Sequence, residues 1–107
     1  MLSSPADPAY LKLSVQSALL GNVSENVAAV HAELRQNTVV LTAYFFGEPS
    51  EVDKELIEVA ATEVIADFPE GYEVETRFRG ISEAVFNQLG WCFLRAEAES
   101  AGRFGAN

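Results

Sequence analysis

The chain has 107 residues and a mass of 11.6 kDa, which suits one small domain built around a single core. Apolar residues make up 49% and charged residues 21% of the chain, a composition that excludes general disorder. Sixteen acidic and seven basic residues give a formal charge of −9, which argues against binding to nucleic acids or anionic membranes, because both require a basic surface.

One cysteine and one histidine exclude an intrachain disulfide and the usual zinc ligand sets. The first residues lack the basic region and apolar run of a signal peptide, and no stretch reaches the ~18 apolar residues of a membrane span. We therefore expect a cytoplasmic protein. We expect residues 1–6 to be a flexible lead-in, residues 7–95 to form a single α+β domain, and residues 96–107 to be a frayed polar tail.

The first helix is predicted to start at Asp7 and Pro8, because Asp caps a helix well and Pro in the first turn loses no hydrogen bond. Gly21 supplies its end. A buried stripe follows from the helical spacing of Leu11, Val15, Ala18 and Leu19. Leu13 and Leu20 lie on the opposite side, where either a loop or the C-terminal tail covers them or they contact a partner.

Residues 27–35 and 38–46 predict two strands joined by a tight turn at Gln36 and Asn37. In that register one face is apolar throughout, with the pairs Leu34–Val39, Ala32–Leu41, Val30–Ala43 and Ala28–Phe45. The other face is mixed, and its apolar and aromatic residues gather at one end: Val27, Ala29, Tyr44 and Phe46. We expect this patch to be covered by the C-terminal strand region or by a second copy of the chain.

Ser50 and Asp53 predict the capping box of a second helix that runs to Asp67. Residues 72–79 alternate as a strand does, a connection follows with one helical turn at 83–87, and residues 90–95 predict a short last strand. The order α-β-β-α-β-β predicts an α+β two-layer sandwich, in which two helices cover one face of a mainly antiparallel sheet of about four strands. The crossover through the second helix allows one parallel pair.

Catalysis finds little support in the sequence. His31 lies in the middle of a strand, where an ordinary sheet-surface histidine is expected, and Cys92 follows Trp91 in an apolar strand, as buried thiols do. The phosphate-loop, nucleophile-elbow and HExxH motifs are missing, and the acidic pairs of the second helix lack a calcium-type loop. We therefore expect no enzyme activity, no metal and no cofactor.

Ten of the sixteen acidic residues fall within residues 48–75, a segment that holds a single base, Lys54. An exposed acidic helix is commonly only solvated, and the functional alternative is a surface that attracts a basic protein. The residues assigned to this predicted acidic surface are Glu51, Glu55, Glu58, Glu63, Glu70, Glu73 and Glu75.

Three segments carry a family resemblance: LSVQSALLG at 13–21, YFFGEPSEVD at 44–53 and VAATEVIADFP at 59–69. They resemble small bacterial α/β proteins of the contact-dependent-inhibition and colicin-type immunity protein kind, over residues 11–95. The resemblance implies a stoichiometric inhibitor of a toxin domain, often a nuclease, whose phosphate-binding surface an acidic protein would suit.

The leading hypothesis is therefore a non-catalytic cytoplasmic immunity protein that occludes the site of a basic toxin domain. The alternative is a small structural or assembly module that forms a homodimer through its open sheet face. A small-molecule or metal sensor and an enzyme rank after these two.

Overall fold

The computed structural model describes residues 7–85 and 88–95. The predicted lead-in and tail lie outside these residues. The elements are α1 (Pro8–Leu19), β1 (Val27–Arg35), β2 (Thr38–Phe45), α2 (Glu51–Ala66), β3 (Glu73–Gly80), a 3₁₀ helix (Ile81–Glu83) and β4 (Trp91–Leu94). The predicted order α-β-β-α-β-β is confirmed.

The described strands form one four-stranded sheet in the order β3-β2-β1-β4. β1 pairs antiparallel with both β2 and β4, whereas β2 and β3 are parallel because α2 connects them as a crossover. The sheet is therefore mixed, with the single parallel pair that the crossover allows. In the described chain, β3 and β4 are its edge strands.

Both helices pack on one face of the sheet, as predicted. The core between the layers includes Val15 of α1, Leu41 of β2 and Ile57 and Val64 of α2, all fully buried. The apolar stripe of α1 is confirmed, since Leu11, Val15, Ala18 and Leu19 are all buried. We call the sheet surface that faces away from the helices the open face.

The predicted hairpin register holds near the turn and fails at its far end. Leu34 lies opposite Val39, Ala32 opposite Leu41 and Val30 opposite Ala43, as expected. The predicted pairing of Ala28 with Phe45 is wrong, because a β-bulge between Val27 and Ala29 places Val27 opposite Phe45. The extra residue reverses the direction of the Val27 side chain, which therefore joins the core on the helix side.

The predicted helical turn at residues 83–87 is also misplaced. A 3₁₀ helix over Ile81–Glu83 follows β3 directly, and residues 86–87 lie outside the described chain. Glu83 explains the early start, because its carboxylate accepts a hydrogen bond from the Gly80 backbone N–H at 3.2 Å. The Ala84 N–H closes the turn on the Ile81 carbonyl oxygen at 3.1 Å.

Candidate partner-binding surfaces

The start of α2 is fixed by a buried carboxylate. Asp53 is only 9% exposed and accepts hydrogen bonds from the Ser50 backbone N–H at 2.9 Å, Ser24 Oγ at 2.7 Å and Asn26 Nδ2 at 3.1 Å. Ser50 Oγ in turn accepts from the Asp53 N–H at 3.1 Å, which completes the predicted capping box. These bonds favour the ionised carboxyl group, the Ser50 N–H most of all, and lower the pKa of Asp53.

Asn26 extends this network to the loop that precedes α2. Its Nδ2 donates to the carbonyl oxygens of Gly47 and Glu48 at 3.0 and 3.3 Å, and its Oδ1 accepts from the Gly47 N–H at 2.8 Å. The turn before β1 and the loop after β2 are thus tied to each other and to the α2 cap. The first turn of α2 has a defined position on the sheet.

The other end of α2 is held by α1. The Tyr10 hydroxyl donates to the Asp67 carbonyl oxygen, and Ser14 Oγ donates to the Asp67 carboxylate at 2.7 Å. The Phe68 ring lies between the rings of Tyr10 and Tyr72, each with its centroid 5.3 Å away. With both ends anchored, α2 presents its outward side chains on a rigid element.

Three residues of the predicted acidic surface come together on α2. Glu51, Glu55 and Glu58 project from the same side of the helix, and all three are exposed. Glu58 Oε2 accepts a hydrogen bond from Thr76 Oγ1 of β3 at 2.9 Å, so this side of α2 borders the sheet edge. Lys54 Nζ lies 4.0 Å from the Glu51 carboxylate, a weak exposed pair.

The other four residues of the predicted acidic surface lie elsewhere. Glu63 lies further around α2, about 80° from Glu55, and Glu70 lies in the turn that follows the helix. Glu73 and Glu75 are on the open face, because they alternate with Val74, which packs against the core on the helix side. Glu75 also pairs with Arg77 at 2.5 Å. The seven carboxylates therefore do not form one continuous surface.

Two apolar residues among the α2 carboxylates were missed by the sequence reasoning. Val52 is 64% exposed and Val59 is 42% exposed. They are seven residues apart and so share one side of the helix, with Glu55 and Glu63 on either side of Val59. The sequence contains the signal for this pair: the two valines are seven residues apart, which is two helical turns, and neither has the spacing of the buried residues of α2. We define the α2 outer face as Glu51, Val52, Glu55, Val59 and Glu63.

The predicted patch at the end of the hairpin is divided between two surfaces. Val27 lies in the core, whereas Ala29 and Tyr44 face each other on the open face and are 0% and 8% exposed. Trp91 of β4 packs against Tyr44, with 5.4 Å between the ring centroids. Phe46 follows β2 and is 39% exposed. Of the four residues, only Phe46 offers a partly exposed apolar side chain.

His31 has a structural environment. Its Nε2 donates to the Leu89 carbonyl oxygen at 2.6 Å, and its ring contacts the Trp91 ring edge-on at 5.2 Å. Beside it, the Ala32 N–H donates to the Gly90 carbonyl oxygen at 2.9 Å. These contacts hold the segment before β4 on the sheet, and Leu89 itself projects outward with 94% of its surface exposed.

Cys92 is a buried thiol in the described part of the chain. Cys92 is 7% exposed, and burial raises the pKa of its thiol to about 11, so the thiol stays protonated at neutral pH. No group of three His, Cys, Asp or Glu residues in the described ranges is arranged to hold a metal ion. Among the same residues, no helix is long and apolar enough to cross a membrane.

Comparison with known proteins gives one assignment. A search of the curated proteins returned no match. The family model described as "MafI2 immunity protein" matches residues 8–97, which include every helix and strand given above. The resemblance to immunity proteins is thereby confirmed, and the match does not extend to the contact-dependent-inhibition or colicin type. The chain belongs to the MafI2 immunity protein family.

Proposed function

We propose that this chain neutralises a basic, nuclease-type toxin domain in the cytoplasm by binding it without catalysis, through the α2 outer face. The observation that carries the proposal is the exposed pair Val52 and Val59, flanked by the carboxylates of Glu55 and Glu63. An apolar centre with a charged rim is the usual anatomy of a protein–protein interface. Membership of an immunity protein family supports a toxin as the partner.

Charge supports a basic partner. The chain carries a formal charge of −9, and Glu55 and Glu63 have no ion-pair partner among the described residues. Their charges are therefore free to act on an approaching protein. A nuclease holds phosphates with basic side chains, so a carboxylate-bearing helix placed over that site would satisfy the same groups and exclude the nucleic acid.

Rigidity supports α2 as the element that binds. The Asp53 network anchors its start and the Asp67 contacts anchor its end, so binding would cost little ordering of the backbone. Leu13 of α1 and Leu20, which follows its last residue, are also exposed, at 62% and 80%, so no described element covers them. The basic residue Lys12 precedes Leu13, and α1 has no acidic residue in its first turn, so charge favours α2 over α1 for a basic partner.

The alternative, a homodimer through the open face, finds less support. The centre of that face is already buried within the single chain, with Ala29, Val40 and Tyr44 all below one tenth exposed. Its outer part carries the exposed charged pairs Glu33–Arg35 and Glu75–Arg77. Little apolar surface is left there for a second copy.

The proposal is tested by measuring the binding of this chain to its partner toxin domain, sought first among the genes that neighbour its own. The double variant V52A/V59A removes apolar contact from the centre of the α2 outer face while leaving the helix propensity favourable. We expect it to raise the dissociation rate about tenfold or more, since central apolar residues carry most of the binding energy. The matched control is L13A/L20A, in α1 and at its C-terminal cap, which removes more exposed apolar surface and should leave the dissociation rate within about twofold.

A further inference from the structure

β3 is an edge strand whose sequence is self-complementary in charge. No described strand pairs with its outer side, and along it the open-face residues are Glu73, Glu75, Arg77 and Arg79. Val74, Thr76 and Phe78 face the helix side. Thr76 is the midpoint of this pattern. Glu75 and Arg77 are one residue away from it, Val74 and Phe78 two residues, and Glu73 and Arg79 three residues. Each acidic residue therefore has a basic counterpart at the same sequence distance from Thr76.

The backbone of β3 also has hydrogen-bonding groups directed away from β2, where a further strand could pair. The Glu73 N–H donates to the Asn37 carbonyl oxygen at 2.8 Å, so Glu73 bonds toward β2. In a parallel pair, alternate residues direct both backbone groups to the neighbouring strand, and the residues between them direct both groups outward. Val74, Thr76 and Phe78 therefore present their N–H and C=O groups at the free edge of the sheet.

We propose that β3 pairs antiparallel with β3 of a second copy of this chain, about a two-fold axis through Thr76. The two sheets would become one continuous sheet. In this register Thr76 lies opposite Thr76 of the second copy, Val74 opposite Phe78, Glu75 opposite Arg77 and Glu73 opposite Arg79. The Thr76 pair lies on the axis and occurs once, and each of the other pairs occurs twice, as the two-fold symmetry requires.

The proposed register agrees with the direction of the backbone hydrogen-bonding groups of β3. Val74, Thr76 and Phe78 occupy the hydrogen-bonded positions, where residues of the two strands exchange both backbone bonds. The charged residues occupy the non-hydrogen-bonded positions, where opposing side chains approach most closely. A slip of two residues in one direction would place Glu75 opposite its own copy, and a slip in the other would place Arg77 opposite its own copy. Charge therefore selects a single register.

Charged residues on an edge strand commonly prevent it from pairing with another strand. The order of charges on β3 instead favours pairing with a second copy. Charges of one sign repel a second copy, whereas acidic and basic halves in antiparallel order attract it. In the single chain Arg77 pairs with Glu75 along the strand, and Arg79 Nε lies 3.9 Å from Glu83. All of these side chains are at least one third exposed and can exchange partners across the edge without refolding.

The helices allow this pairing at a cost. Both copies of α2 would lie on the same side of the joined sheet, and Glu58 of each would approach the axis through its hydrogen bond to Thr76. Repulsion between the two Glu58 carboxylates opposes association, so we infer a dimer that forms with rising protein concentration. Val59 lies about a quarter turn around α2 from Glu58 and stays accessible to a toxin, whereas Glu51, which belongs to the α2 outer face, shares the side of Glu58 and approaches the second copy.

Sedimentation of two charge variants tests the proposal. R77E/R79E makes the open-face residues of β3 all acidic, and E73R/E75R makes them all basic. The parent should pass from monomer to dimer between micromolar and millimolar concentration. Each variant alone should lose the dimer, and their equimolar mixture should regain it as a heterodimer. K12E/E25K, a charge exchange between exposed residues of α1 and of the turn before β1, should dimerise as the parent does.

A cross-link gives a second measurement that keeps all four charges of β3. Across the axis the two Thr76 Cα atoms would be ~5.5 Å apart, within reach of a disulfide. Oxidation of T76C should therefore yield a covalent dimer, while S17C on the exposed side of α1 should not. A parent that stays monomeric throughout, variants that still dimerise alone, a mixture that stays monomeric, or T76C that cross-links no better than S17C would each overturn the proposal.

Discussion

His31 Nε2 donates to the carbonyl oxygen of Leu89, 58 residues further along the chain, at 2.6 Å. The bond joins the centre of β1 to the segment that leads into β4. β4 has only four residues, and this bond adds a side-chain contact to the backbone hydrogen bonds by which the segment pairs with β1.

We predict that H31A lowers the free energy of unfolding by about 1–3 kcal/mol, because the Leu89 carbonyl oxygen loses its donor and the Trp91 ring loses its edge-on contact. Urea unfolding measures the change. H31Q keeps a donor near the same position and should recover part of the loss. Equal stabilities of H31A and the parent would show that the bond contributes nothing.

Gly90 should be among the least replaceable residues of the chain. It has φ +101°, and a Cβ there would lie 2.7 Å from both the Ala32 carbonyl oxygen and His31 Nε2. We expect G90A to lower the melting temperature strongly, since both the backbone strain and the clash with β1 must be relieved by moving β4. Gly71 is the control: it has φ +99° but open space around it, so G71A suffers the strain alone.

A comparison of these two alanine variants by thermal unfolding separates strain from close approach. G90A should be the less stable by about 1 kcal/mol or more, given the usual cost of an overlap in packed structure. Similar melting temperatures for the two variants would mean that the approach of Gly90 to His31 is not tight.

The Asp53 carboxylate should make stability depend on acid pH. Its pKa is lowered in the folded chain from an ordinary value of 3.8, chiefly by the Ser50 backbone N–H. The contribution is therefore complete above the ordinary pKa and is lost as the pH falls through the lower pKa of the folded state. Urea unfolding at a series of pH values should show D53N losing less stability than the parent over that acid range.

The capping serine gives a simpler measurement at neutral pH. S50A removes the hydroxyl that accepts from the Asp53 N–H and should cost about 1 kcal/mol of stability. S24A removes another donor to the same carboxylate and should cost a similar amount. An unchanged free energy of unfolding in both variants would contradict the role given to this network.

Much of the fold could be predicted from local pattern. The Asp7 and Pro8 start of α1, the capping box of α2 and the inner hairpin register all depend on neighbouring residues, and all are confirmed. The bulge at Ala28 was not predicted, because the regular register places Ala28 opposite Phe45 and the bulged register places Val27 there, and both residues are apolar. The contact between His31 and Leu89 was beyond prediction, since nothing in either segment specifies where the other lies.

The site was predictable only in part. Glu51, Glu55 and Glu58 have the spacing of residues on one side of a helix, and the structure places them there. Glu73 and Glu75 were grouped with them because they are near in sequence, yet strand alternation turns them to the opposite side of the sheet. Val52 and Val59 were not predicted, because charge density alone does not mark exposed apolar residues that lie between carboxylates.

The most direct test of the proposed function is the association rate with the toxin as a function of salt. E55K/E63K reverses two charges of the α2 outer face, and E25K/E33K makes the same change in net charge elsewhere. Exposed charges act mainly on association and are screened over ~8 Å at physiological salt. We predict that E55K/E63K slows association about tenfold or more at low salt, that high salt removes the difference, and that the control stays close to the parent. If E55K/E63K associates at low salt as fast as E25K/E33K, the α2 outer face is ordinary solvated surface and the proposal is wrong.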